Sequence, residues 1–324
     1  MGREHLFRKC IFVSLLCWSA ASFGQSYPSK PVTLVVPFVP GGQIDLSARI
    51  VSDPLAKFLG QSVVVENRVG ASGNIGYTAV ARAPKDGHTI LVGYSGTHVC
   101  NPALYANLPW DPIKDFAPIG MLTVATHVIT VHPSVPVNNL RELIAYLKQN
   151  PGKIDVASSG VGSLSQIGAV MMQHLTQTEM LHVPYKGSGE VMKDLLAGRV
   201  QVYFPTPPSI MQHVRAGKLK ALAVTSMSRL QAMPDVPTAN ESGLPGFVVE
   251  AWVALFAPGG TPPDVIAKLS DAVQRAMELP ESRQRAADAG IEVRFVGPDA
   301  ISAQIRKELD SCGKTIRAAK ITAE

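Results

Sequence analysis

The feature that most constrains this chain is a unit of strand, glycine turn and helix start. Val32 to Val36 form an unbroken apolar, mostly β-branched run, and Pro37-Phe38-Val39-Pro40-Gly41-Gly42 then leads into the helical periodicity of Gln43 to Arg49. A run of that kind suits a strand buried on both faces, and the order is strand, glycine turn, helix start. The order returns where Lys153 to Ala157 leads through Ser158-Ser159-Gly160-Val161-Gly162-Ser163 into Leu164-Ser165-Gln166. Glycines at a helix start leave backbone N–H groups unshielded, so such turns can receive an anion, and a carboxylate is the natural guest. Alternatively, Gly41 and Gly42 serve only to permit a tight turn with positive φ.

A third glycine turn narrows the chemistry. Thr89 to Val92 runs into Gly93-Tyr94-Ser95-Gly96-Thr97-His98, which approaches the nucleophile elbow GxSxG but has Thr97 at its last position. Asn101-Pro102 does not continue the helix that an elbow requires. Ser95, Thr97 and His98 therefore read as neutral hydrogen-bonding groups for a ligand, or as caps on their own turn. Gly160 and Gly162 begin a GxGxxG pattern that ends on Ser165, with no acidic residue about twenty positions on, which argues against a dinucleotide. The eight histidines show no ligand spacing, so no metal and no cofactor is expected.

Residues 1–24 differ in kind. Arg3, Arg8 and Lys9 precede an apolar run from Cys10 to about Ala21, and Ser22-Phe23-Gly24 provides small residues for cleavage: a secretory signal peptide. Its removal, with Glu4, lowers the formal charge from +5 to +3. No basic block or aromatic–basic interleaving is present, so nucleic acid is not an expected partner. Cys100 and Cys312 would be the cysteines left in an oxidising compartment, either bridged or as separate thiols. At 324 residues and 46% hydrophobic content the chain suits two domains. A helix over Ile44–Leu59 should be kinked or divided at Pro54. Short strands are expected at Pro118–Met121 and His127–Val131, a proline-rich crossing between domains over Met233–Phe247, and terminal helices from Glu281 and Asp299.

In order along the chain, PFVPGGQIDLSAR, VVVENRVGASGNIG, NPALY, DFAPIG, SSGVGS, HVPYKGSG, AGKLKALAVTS, PDVPTANESGLPG and APGGTPPDVIAKL resemble the extracytoplasmic solute receptors of tripartite tricarboxylate transporters, the Bug receptors. The resemblance implies an α/β, two-lobed periplasmic-binding-protein (Venus flytrap, type II-like) fold, each lobe a sheet flanked by helices. It implies one lobe from residues 26–126 plus 251–324 and the other from 127–250. It further implies a monomeric periplasmic protein that binds a small carboxylate for a membrane permease, or reports it to a signalling partner. A serine hydrolase using Ser95 and His98 is the rival from another class. Carried over by motif, Gly41, Gly42, Ser95, Thr97, Ser159, Gly160 and Ser163 would touch the ligand, with Phe38 and Gln43 at the side wall. The chain departs from the common pattern at Gln166, where a histidine is frequent, and at Pro205, where an aspartate is common. That substitution leaves Pro205 and Thr206 facing the expected pocket.

Overall fold

The computed structural model describes residues 27–318 and Ile321; the signal-peptide reading lies outside the described residues. The strands are β1 (Val32–Val36), β2 (Val63–Asn67), β3 (Thr89–Tyr94), β4 (Phe116–Thr126), β5 (Val128–Val131), β6 (Asp155–Ser158), β7 (Leu181–Pro184), β8 (Val202–Tyr203), β9 (Lys220–Val224), β10 (Glu250–Pro258) and β11 (Glu292–Val296). The helices are α1 (Gln43–Leu59), α2 (Asn74–Ala81), α3 (Asn101–Leu104), α4 (Leu140–Gln149), α5 (Leu164–Thr176), α6 (Ser188–Leu196), α7 (Met211–Arg215), α8 (Pro263–Glu278), α9 (Pro280–Asp288) and α10 (Pro298–Ala318).

Two sheets result, a six-stranded one ordered β11-β4-β10-β3-β1-β2 and a five-stranded one ordered β7-β6-β8-β5-β9. The first draws its strands from both ends of the described chain, the second from the middle. In β1 the period-two alternation sends Val32, Leu34 and Val36 into one apolar cluster and Val35 into another, so both faces are buried. The cluster holding Val35 continues through Tyr77 and Phe256 to Ile129, Ile167 and Phe204, joining the two sheets' cores.

The chain crosses between the sheets at His127 and again over residues 225–249. The crossings are tied together. The His127 N–H reaches both the Val249 carbonyl (3.2 Å) and Thr225 Oγ1 (3.0 Å), and the Val249 N–H donates to the Thr225 carbonyl (3.1 Å). Thr126, His127 and Thr225 are all buried there. Cys100 and Cys312 form a disulfide, which fixes α10 against the segment after β3.

Four local expectations change. The chain does continue as a helix at Asn101-Pro102, since α3 follows the turn 96–100 directly and a proline is tolerated in a first helical turn. Helix α1 is continuous through Pro54, because tertiary packing of Ile50, Val51 and Leu55 holds the turn together. Strand β4 extends over eleven residues, since Pro118 and Gly120 are accommodated beside register shifts against β10. Strand β11 lies between the last two helices and pairs antiparallel with β4 at the sheet edge.

Candidate functional site

The first glycine turn is built around a buried acid. Asp45 at the start of α1 accepts from the Gly41 N–H (3.0 Å), from Arg49 Nε (2.9 Å) and Nη2 (3.1 Å), and from Asn67 Nδ2 (3.0 Å). Burial by itself would raise its pKa, but these bonds and the guanidinium charge hold it below the usual carboxylate range. Asp45 with Arg49 is thus a structural pair, and more buried than the exposed i, i+4 pair its spacing suggests. The Gly41 amide is therefore occupied rather than open to a ligand. Gly42 caps the helix without a side chain, and space is open in front of both glycines. The first amides of α1 lack intrahelical partners by geometry.

Neighbouring segments complete this side. Phe38 packs edge-on against Tyr94, with ring centroids 5.8 Å apart. A Cβ on Gly73 would sit 3.1 Å from the Phe38 ring and 3.3 Å from Thr97 Oγ1, so Phe38, Gly73 and Thr97 meet closely. Thr97 Oγ1 donates to the Ser72 carbonyl (3.2 Å), and Tyr105 donates to Ser72 Oγ (3.1 Å). Ala71 and Ser72 adopt positive φ, +47° and +53°, a strained backbone that these bonds help retain. Gln43 and Ser95 are both anchored on β10. Gln43 Nε2 donates to the Ala251 carbonyl (2.8 Å), leaving its buried Oε1 without a partner, and Ser95 Oγ accepts from the Trp252 N–H (3.2 Å).

His98 is not part of this surface. It is wholly buried, stacked on Phe256 at 4.4 Å and 12°, and its Nε2–H donates to the Pro112 carbonyl (3.0 Å). Desolvation drives its pKa down to about 4, with the Pro112 bond opposing, so it is a neutral core residue. No hydrogen bond joins it to Ser95. The π-helical turn Gly96–Cys100 points the ring inward, which residue spacing alone could not reveal.

The second side is the Ser158–Gln166 turn. Ser163 caps α5 by accepting from the Gln166 N–H (3.5 Å), and the Ser163 and Ser165 hydroxyls are 2.9 Å apart. Ser165 also accepts from the Ser159 N–H (3.1 Å). Gln166 has both amide atoms engaged: Oε1 accepts from the Gly162 N–H (2.6 Å) and Nε2 meets His182 Nδ1 (3.2 Å). It shapes the turn instead of projecting from it. Tyr203 donates to Ser188 (3.0 Å). Pro205 is buried with its carbonyl taken by the Val128 N–H (2.8 Å), while Thr206 is half-buried and its carbonyl accepts from Ser209 Oγ (2.8 Å). Ser165, Tyr203 and His182 were missed in the motif reading. The serine at every second position from 159 to 165, with 161 as the exception, was the available signal.

The two sides face one another. A Cβ on Gly162, φ +77°, would overlap Leu104 Cδ1 from the six-stranded half, and one on Gly96 would lie 3.5 Å from Leu164 of the other. Burial raises the Tyr94 pKa, and the Tyr203 phenol across the interface adds to the rise. Thus the 94–97 turn and the 159–165 turn oppose each other. Among the described residues no helix is long and apolar enough to cross a membrane, and no group of three His, Cys, Asp or Glu could hold a metal ion.

Residues 47–321 match the TctC family, described as tripartite tricarboxylate transporter family receptor. The chain belongs to that family. Among curated relatives of this receptor, BugT of Bordetella pertussis is 33% identical over 308 residues, 95% of this chain and 94% of its own. Among solved receptors, the periplasmic binding protein BugD superposes with a TM-score of 0.83 at 36% identity, covering 92% of this chain and all of its own. MatC of Rhodopseudomonas palustris, solved with bound malate, gives 0.80 at 36% over 90% of this chain and 100% of its own. An R. palustris protein solved with adipate gives 0.86 at 32% over 91% and 99%. The TctC receptor fold is that of a periplasmic binding protein, with two sheets flanked by helices.

Proposed function

We propose that this chain is a periplasmic receptor, exported by a signal peptide over residues 1–24. It takes a small carboxylate between one lobe of residues 26–126 plus 251–324 and another of 127–250, closes on it as a monomer, and presents it to a tripartite tricarboxylate-type permease. The observation that carries the reading is the pair of opposed turns at helix starts, where the first amides of α1 lack intrahelical partners and the buried charge beside them, Asp45, is already matched by Arg49 and Asn67. Relatives that hold malate and adipate support the same class of guest. Phe38, Gly42, Gln43 and Thr97 face the ligand from one side, and Ser159, Gly160, Ser163 and Thr206 from the other. Gly41, Ser95 and Gln166 hold those turns in shape.

Neutral groups suffice energetically. About four charge-assisted hydrogen bonds at roughly 1.5–3 kcal/mol, with two helix N-termini at about 0.3–1 kcal/mol each, can offset association costs and leave a micromolar complex near 8 kcal/mol. These contributions are not strictly additive. Pro205, in place of an acidic side chain, favours a ligand whose far end is apolar or acidic over one bearing an ammonium group. The role is binding without turnover. Deleting the gene should abolish uptake of the bound acid, and purified protein should return that acid chemically unchanged. Undiminished uptake, or conversion of the acid by the protein, would contradict the proposal.

A further inference from the structure

One path of hydrogen bonds through the second turn has every direction determined. The Gly162 N–H can only donate, so the Gln166 atom it meets is Oε1 (2.6 Å) and the Gln166 amide nitrogen faces His182 Nδ1 (3.2 Å). That nitrogen donates, so Nδ1 accepts and the ring proton resides on Nε2. From Nε2 it is donated to Ser158 Oγ (2.7 Å), whose own hydrogen goes to the Gly160 carbonyl (3.0 Å). The chain of donors leaves the turn at Gly162 and returns to it at Gly160. Ser158 is wholly buried and Gln166 nearly so, so neither readily substitutes water for these partners.

We propose that His182, as the neutral Nε2–H tautomer, is the positioning residue that holds the 159–165 turn in its ligand-receiving shape, and that its protonation releases the ligand. This rests on the carboxylate-receptor reading above. Protonation places a hydrogen on Nδ1 opposite the Gln166 NH2, donor against donor. Turning the Gln166 amide relieves that clash only by setting NH2 against the Gly162 N–H. Either arrangement breaks the loop of bonds. The imidazole is half-buried, and burial draws its pKa below the ordinary histidine value. The titratable groups on adjoining segments are Lys153 and Asp155 at the start of β6, Tyr203 on β8, His174 on α5, and Glu179, Tyr185 and Lys186 flanking β7; Tyr185 is engaged with Asp194 (2.8 Å), and among the described residues no carboxylate forms an ion pair with His182. Across the interface the turn meets Leu104, which is apolar.

Gln at position 182 can accept from Gln166 and donate to Ser158 without titrating, which gives a conservative variant. Calorimetric titration with malate and with adipate from about pH 7.5 to pH 5 should show wild-type affinity falling further than that of His182→Gln, by no more than about thirtyfold because burial lowers the histidine pKa, since protonation of the acid itself affects both alike. His182→Ala should lose at least tenfold already at pH 7.5, and His182→Gln should stay within about threefold of wild type. A constant ratio of wild type to His182→Gln across pH, or full binding by His182→Ala, overturns the proposal. Imidazole 15N shifts in the ligand-free protein provide a readout independent of any acid. The Nε2–H tautomer, with amide shifts at Gly160 and Gly162 moving as His182 titrates, is expected. The Nδ1–H tautomer, or amides indifferent to the titration, refutes the relay. If no acid binds wild type while the shifts behave as expected, the carboxylate reading fails and the relay stands.

Discussion

Adding one methyl group at Gly162 tests whether the two halves close on the ligand. Gly162→Ala has two separable effects. The residue has φ +77°, and an alanine held there costs about 1–2 kcal/mol of strain whether the halves are together or apart. The new Cβ also overlaps Leu104 Cδ1 and comes within 3.1 and 3.3 Å of Cγ and Cδ2, a clash that exists only when the halves meet. Leu104 is packed in the large cluster with Leu164 and Ile167 and has little room to retreat, so overpacking of about 1–3 kcal/mol is expected. Strain common to both states cancels in binding, whereas the clash does not. Calorimetric titration should therefore show affinity for the bound acid reduced about 5- to 150-fold, with a separate loss of thermal stability. Adding Leu104→Ala should restore affinity to that of Leu104→Ala alone without recovering the strain. Unchanged affinity in Gly162→Ala, or no rescue in the double variant, would refute closure through this contact.

Two further outcomes follow from the core. Breaking the Cys100–Cys312 bridge, which spans 212 positions, with Cys312→Ser should cost about 2–5 kcal/mol and lower Tm by roughly 3–8 °C, read by a melting curve beside a dithiothreitol-treated control; an unchanged Tm would contradict a stabilising bridge. His98 and His127 have pKa values lowered by burial from 6.5 to about 4, so between those values the unfolded chain binds protons that the folded chain excludes. Stability should decline as pH falls through that window, by at most about 3 kcal/mol per histidine, and His98→Phe should flatten the decline in urea midpoints; an equal slope in wild type and variant would refute it.

The glycine turns were legible because their signals are local. The apolar run of β1, Gly41-Gly42 and the periodicity of α1 all lie within about thirty residues, and the same order of strand, turn and helix recurs at Ser163, which caps α5. Features decided by distant partners were less visible. Pro118 and Gly120 look like breakers until β10 pairs beside them, and the charged, alternating residues Glu292 and Arg294 conceal an edge strand. His98 lies next to a candidate site in sequence, but Phe256, more than 150 positions away, receives its ring. Gln166 shows the same limit in reverse: its role depends on His182, on a strand that no helical periodicity links to it.

The central claim is that opposed neutral turns hold a small carboxylate. The most direct measurement is the melting temperature of purified, ligand-stripped protein against aliphatic di- and tricarboxylates, aromatic carboxylates, amino acids and neutral solutes. At a hundred times its dissociation constant a bound ligand adds about 2.7 kcal/mol, which raises Tm by roughly 4 °C for a chain of this size. A rise confined to one class of carboxylate is the predicted result and would name the substrate class. No rise with any carboxylate, together with a rise for an amine or a neutral solute, would contradict the account of what these turns hold.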